Sequence, residues 1–379
     1  MPIDPDVQPY LDAIDDRLTK QAAQIAALQV TPPSTNGSRN PVLVAASNAP
    51  SSVKATATYV CDGTDDHAEI NNAIAVAAGG VGEVHLSGGL FRLAAPIVMR
   101  TGVWLHGVGV LTEITGKVTL PAGYGTEPAF ITNAGAGDHL MRVSDLWLNG
   151  NYSGGGTAHG IGFRCSGGAG QRGGRPDSNP DPDITIHDLY ISKFTGGTRH
   201  GILMDTDCRG SIIDRVQIRD CTGDGIWMKD SPDSHLSNIH IGGATKCGFR
   251  TTGGNVKFTN CKAYYCDDAG FSIQSGRGAL AACESQDNVN GFRFAADCVA
   301  SALVADTFRD TGFIVAADRV QILGAAAFNR GGARFATSGV GFALNGRSKL
   351  AVVGSTNKVT TPVQGTGGGF VRIDSYTVG

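Results

Sequence analysis

The chain has 379 residues, 54 of them glycine, with 17% charged residues and a formal net charge of −3. So much glycine without a Gly-X-Y period argues against collagen and disorder, and it suits many short strands joined by tight turns. The small negative charge offers no electrostatic footprint for nucleic acid, and no apolar run reaches the ~18 residues of a membrane span. Neither nucleic-acid binding nor membrane insertion is expected.

The start, Met1-Pro-Ile-Asp-Pro-Asp, lacks a basic region followed by an apolar one, so no secretory signal is expected. The 9 cysteines include no Cys-x-x-Cys pair. Buried thiols made in a reducing compartment are expected, rather than a disulfide framework or a metal site. No cofactor is expected either.

Val7, Leu11, Ile14, Leu18, Gln21, Ile25 and Leu28 alternate in steps of four and three. That a/d pattern predicts a short oligomerising coil over residues 1–30, with an amphipathic helix packed on its own domain as the alternative. Thr31-Pro-Pro-Ser-Thr-Asn-Gly-Ser opens a polar stretch read as a linker over 31–57. Asp65 is placed to cap a helix whose apolar face is Ala68, Ile70, Ala73, Ile74 and Ala77, ended by Gly79-Gly80. Short strands follow at Val84-His-Leu, Leu90-Phe-Arg-Leu, Ile97-Val and Val103-Trp-Leu. The helix is expected to plug one end of a stack.

A repeat is clearest from Ile184 to Leu344. Glycine followed by an apolar-x-apolar triplet recurs at Gly201, Gly225, Gly248, Gly270, Gly291 and Gly312, at intervals of 24, 23, 22, 21 and 21. A weaker member is read at Gly332, 20 residues on. Each interval holds a second alternating strand: Val216-Gln-Ile, Ile239-His-Ile, Cys261-Lys-Ala and Cys283-Glu-Ser. A period near 22 made only of strands and turns predicts an all-β fold, a right-handed single-stranded parallel β-helix of about ten rungs over 58–350. A last rung or cap is expected at 351–379. From Gly160 to Gly201 the interval is 41. It is read as one rung carrying an exposed Gly/Pro-rich loop at 165–182.

Ile202, Ile226, Phe249, Phe271, Phe292 and Phe313 are expected as a stacked interior ladder, with Cys261 and Cys283 as small buried hydrophobes. Strict alternation points Trp104, Trp147 and Trp227 outward. It also gives Trp147, Tyr190, Gln217, His240, Lys262 and Glu284 one outward slot on successive rungs. Such a stripe suits sugar stacking or burial against a neighbouring subunit, and Trp227 is grouped with it as a candidate. Acids recur in the turn before the glycine strand. Asp267, Asp268 and Asp287 are weak catalytic candidates, because residues one or two rungs apart fall in the range of glycosidase carboxylate pairs. The competing reading is ordinary turn aspartates bonding their own backbone.

Asp62-Gly-Thr-Asp-Asp, Glu69-Ile-Asn-Asn-Ala-Ile, Gly102-Val-Trp-Leu-His-Gly-Val-Gly and Asp145-Leu-Trp-Leu-Asn-Gly-Asn resemble the pectate-lyase-like superfamily over about residues 58–350. The chain looks most like the branch that holds bacteriophage tail spikes and minor tail proteins. That resemblance implies a homotrimer in the virion, docked on other tail proteins through the N-terminal segment and touching a host-surface polysaccharide. The superfamily also contains lyases, glycoside hydrolases and adhesins, so a depolymerase and a bacterial surface adhesin are the alternatives. The polygalacturonase pattern is incomplete: Asp205-Thr-Asp207 and Asp267-Asp268 occur, but no Gly-His-Gly or Arg-Ile-Lys follows them.

Overall fold

A computed structural model describes residues 40–376 except 81, 119–127, 136, 152–157, 166–182, 332–333, 336–337, 345–349 and 366–368. The heptad residues Val7 to Leu28, and the expected loop beyond Cys165, lie outside the described residues.

Parallel strands stack into three faces, and each rung of the coil gives one strand to each face. The first face begins at Tyr59–Val60, which pairs with Val42–Ala45, and continues through Glu83–Leu86 and Trp104–His106. It then takes the leading halves of Arg142–Asn149, Thr185–Ser192 and Ile212–Cys221. The trailing halves of those same three strands lie on the second face, after Gly89–Leu93 and Thr112–Gly116. Ile97–Met99, Ala129–Asn133, His159–Phe163, Ile202–Met204, Ile226–Met228 and Phe249–Thr251 run up the third. The first face counts fourteen strands among the described residues, from Tyr59–Val60 at one edge to Gly369–Tyr376 at the other. At about 4.8 Å per step, the stack is longer than the ten rungs read from the glycine repeat.

Three other expectations are corrected. Residues 42–54, read as linker, hold the first strand and a one-turn helix α1, Ser51–Lys54. Val42 pairs with Val84 and Val44 with Tyr59, so this strand belongs to the coil, and its Pro-rich flanks hid it. The repeat does not continue at Gly332. Phe313 pairs with Phe342, so Gly341 is the next member, and residues between Phe328 and Ser338 lengthen that rung. Helix α2, His67–Ala78, begins after Asp66 rather than Asp65, and Ala68 is exposed while Ile70, Ala73, Ile74 and Ala77 are buried. The Asp66 carboxylate accepts from the backbone N–H groups of Gly63 (2.8 Å) and Arg92 (2.7 Å). The last aspartate of the Asp-Gly-Thr-Asp-Asp motif therefore clamps the turn to the next strand.

The long interval resolves as expected into one rung, because Ile161 pairs directly with Ile202. The interior ladder is also found. Phe249, Phe271, Phe292, Phe313 and Phe342 are fully buried and stack at 4.6, 4.9, 5.0 and 4.7 Å between ring centroids. Their planes lie within 12° of one another. A ring every rung packs the bore with successive aromatic contacts. All 9 cysteines are free and buried, and Cys261 and Cys283 stand on the inward column after Val216 and Ile239.

From the rung of Asp145 to that of Gly324, the first and second faces meet at a single left-handed residue. Asp145, Asp188, Arg215, Asn238, Asn260, Ala282 and Ala302 hold φ between 51° and 56°, and Gly324 takes the slot at 71°. One αL residue turns the strand through the corner while keeping inward side chains inward. Asn and Asp tolerate this conformation, whereas alanine is strained in it by about 1 kcal/mol. Ala302 is exposed. Ala302→Gly is therefore expected to stabilise the protein by about 0.5–1 kcal/mol, read as a higher midpoint in urea unfolding.

Candidate functional site

The second face carries the outward stripe in the register the alternation predicts. Trp147 pairs with Tyr190, Tyr190 with Gln217, Gln217 with His240, His240 with Lys262, and Lys262 with Glu284. Gln217 and His240 are exposed, and the other four are half-buried. The Trp147 and Tyr190 rings lie 5.9 Å apart at 47°, and Trp147 Nε1–H donates to Ser192 Oγ at 3.0 Å. The indole is thus held with part of its face outward. Lys262 Nζ meets Glu284 Oε1 at 3.0 Å. Burial, then the charges of Lys262 and Arg219, push the His240 imidazole below its ordinary value.

A second outward column runs beside the first: Asn149, Ser192, Arg219, Gly242, Tyr264 and Gln286. Gly242 leaves a gap that the Tyr264 ring fills, since a Cβ there would lie 2.6 Å from that ring. The Arg219 guanidinium stands over the Tyr264 ring at 4.8 Å. Sequence reasoning missed this column. The signal was present, because every residue two places after the first stripe shares its direction.

Trp227 belongs elsewhere. It sits on the third face between Leu203 and Arg250, and that face is separated from the stripe by a corner. There the Arg250 guanidinium covers its ring at 4.7 Å, and its Nε1–H donates to Thr252 Oγ1 at 3.0 Å. Beneath it a buried ladder caps successive backbone N–H groups. His159 Nδ1 accepts from His200 (2.9 Å), His200 Nδ1 from Asp224 (2.8 Å) and Asp224 Oδ1 from Cys247 (3.0 Å). Asp224 Oδ2 has no hydrogen-bond partner, and burial raises that carboxyl above its ordinary value.

The three candidate acids are spread over two positions of the rung. Asp268 lies on the third-face side, gripped by Arg293 through Nη1 at 3.1 Å and Nη2 at 2.6 Å. Burial raises its carboxyl, but hydrogen bonds and charge from Arg293, with help from Cys247, hold it below the usual carboxylate value. Asp267 is paired with Arg334. Asp287 is buried at the corner between the second and third faces with φ 52°, and its Oδ1 has no hydrogen-bond partner. Asn290 pairs with Ala269, so the residue stacked beside Asp268 is Val289, and Asp287 falls two places earlier. The register therefore does not put the Asp268 and Asp287 side chains in one column.

The first face has a third feature that sequence reasoning left out. Trp104 and His106 stack at 4.3 Å, His106 and His85 at 4.6 Å, and Glu83 Oε1 meets His106 Nε2 at 2.9 Å. These rings cover one another's faces. Farther along this face, Lys257, Arg277, Asp297, Val299 and Arg319 line a shallow groove of about 530 Å³.

The model of the right-handed β-helix region matches residues 181–302. No curated protein sequence matches the chain. Among solved structures, it is similar to the A-module of the mannuronan C-5 epimerase AlgE6 of Azotobacter vinelandii, at TM-score 0.54 and 16% identity over 83% of this chain and 94% of that one. It is similar as well to the N-terminal fragment of gene product 12 of bacteriophage Phi29, at TM-score 0.54 and 15% identity over 79% and 56%. A third similar structure is ORF18 of Geobacillus virus E2, at TM-score 0.51 and 11% identity over 83% and 59%. At these identities the likeness is one of fold, and it agrees with the strand register: the chain is a right-handed parallel β-helix.

Proposed function

We propose that this protein is a structural component of a bacteriophage tail, a tail spike or minor tail protein, whose second face contacts a host-surface polysaccharide during adsorption. The observation that carries the reading is the continuous outward stripe from Trp147 to Glu284, one side chain per rung. A pitch of about 4.8 Å is close to the length of one pyranose along a glycan chain. An aromatic pair at one end offers apolar ring faces, and the amide, imidazole and ion pair beyond it offer hydrogen bonds to hydroxyls. The fold supports this reading by analogy, since two of its structural neighbours are virus proteins and one is an epimerase of mannuronan.

Trp147→Ala is expected to weaken binding to host-surface polysaccharide several-fold to about tenfold, read by co-sedimentation, with the melting temperature unchanged. Unaltered binding, together with protection of Trp147 in the assembled oligomer, would instead make the stripe a subunit interface. The N-terminal heptads from Val7 to Leu28 are proposed to trimerise the chain and dock it on other tail proteins. Light scattering that gave a monomer at micromolar concentration would overturn that part.

A depolymerase is the second reading, favoured by the buried Asp287 with its unpartnered oxygen. We place it second because Asp267 and Asp268 are each engaged by an arginine. Polysaccharide turnover lost in Asp287→Asn would reverse the order.

A further inference from the structure

We infer that Arg219, laid against Tyr264 across Gly242, receives an oxyanion carried on a sugar, a carboxylate or a phosphate, so that the polysaccharide contacted by the second face is acidic. The inference rests on the glycan reading of that face and adds the chemical class of the ligand.

Three residues on successive rungs build the platform. Ser192, Arg219, Gly242 and Tyr264 are consecutive members of one outward column. Without a Cβ at Gly242, the Tyr264 ring leans back one rung and its carbons occupy that space. The Arg219 guanidinium then lies 4.8 Å from the ring centre. A ring contact engages the guanidinium without using its N–H donors, so its in-plane donors stay available for two oxygens of one group. Among the described residues no carboxylate forms an ion pair with Arg219. The acid nearest along the neighbouring column, Glu284, is already paired with Lys262. His240 lies beside Gly242 on the adjoining stripe, and the positive field of Arg219 and Lys262 acts on it. Arg219 is therefore a pre-arranged cation without a carboxylate partner in the middle of the second face, which is the complement of an anionic group.

Position along the rod adds an order to the ligand. Trp147 is two rungs before the Arg219 rung, about 10 Å away. One pyranose stacked on the Trp147–Tyr190 end places the next one or two sugars over Arg219. An acidic unit adjacent to a less polar unit is the repeat that fits.

The test measures binding of wild type, Arg219→Ala, Arg219→Lys, Gly242→Ala and Trp147→Ala by saturation-transfer NMR. The probes are a galacturonate tetrasaccharide, its carboxyl-reduced galactose counterpart, and glucose 6-phosphate. Wild type is expected to bind the acidic tetrasaccharide at least tenfold more tightly than the reduced one. Arg219→Ala should abolish that preference, and Gly242→Ala should mimic it by displacing Tyr264. Arg219→Lys should retain part of the preference, and Trp147→Ala should weaken both tetrasaccharides alike. Preference for glucose 6-phosphate over the uronate assigns the oxyanion to phosphate. Equal binding of the acidic and reduced tetrasaccharides by wild type overturns the inference and leaves the glycan reading standing. Loss of binding to both tetrasaccharides in Arg219→Ala at unchanged melting temperature overturns it too. Failure of wild type to bind any probe overturns both.

Discussion

Phe292→Ala is expected to destabilise the protein by about 3–5 kcal/mol, the range for truncating a buried aromatic. Phe292 is fully buried, sandwiched between Phe271 at 4.9 Å and Phe313 at 5.0 Å, with Phe294 at 6.2 Å on its own strand. Removing it empties the bore and strips a stacking partner from two rings at once. The cavity has little means of collapse, because hydrogen bonds to the rungs above and below fix the backbone spacing. Phe292→Leu keeps most of the volume and should cost much less. Denaturant unfolding of the two variants checks this, and equal losses would show that stacking of the ring, rather than the volume it fills, carries the effect.

Stability is also expected to fall as the pH drops from about 6.5 towards about 4, with His85 as one source. Burial, and then the neighbouring His106, push the His85 imidazole down from 6.5 to about 4. Its folded value lies below its unfolded one. The folded chain therefore binds fewer protons across that window, and stability is present above 6.5 and lost as the pH falls through to 4. A tenfold change in proton affinity corresponds to about 1.4 kcal/mol, so the ceiling is a few kcal/mol, reduced because His85 is not fully enclosed. Asp224 and Asp306, both raised by burial, act in the opposite sense. The measurement is thus the difference between wild type and His85→Gln across the window. A flat difference would remove His85 as the cause.

The coil was legible because a one-rung period repeats the same alternation, and a single slip would turn a hydrophobic column to solvent. That is why the stripe from Trp147 to Glu284 could be written down by counting. Counting failed where period and pattern separate. Gly332 has the right composition at the right interval, but a longer turn moves the true member to Gly341. Val42–Ala45 stands outside the repeat in sequence, since one partner, Tyr59–Val60, is only two residues long and the other, at Val84, lies beyond the inserted helix α2. Trp227 groups with Trp147 in sequence because flanking aliphatics say only that a side chain points outward. Which of three faces it leaves is set by its distance from the αL corner. The Arg219 platform depends on an absent side chain at Gly242, and a motif search sees only the residues that are present.

The single-residue corner between the first and second faces has a practical consequence for altering this chain. From Asp145 to Gly324 it has the same length in each of these rungs, and an added residue there would reverse every side chain downstream until the next bend. Length variation falls instead at the two borders of the third face. Residues 119–127, 152–157 and 329–337 lie between second- and third-face strands, and 164–184 between a third- and a first-face strand. Foreign peptides should be accepted at those borders with the register intact. The same peptide spliced next to Asn260 should give insoluble protein. The β-helix thus separates a side where chain length is held from a side where new chain can be grafted.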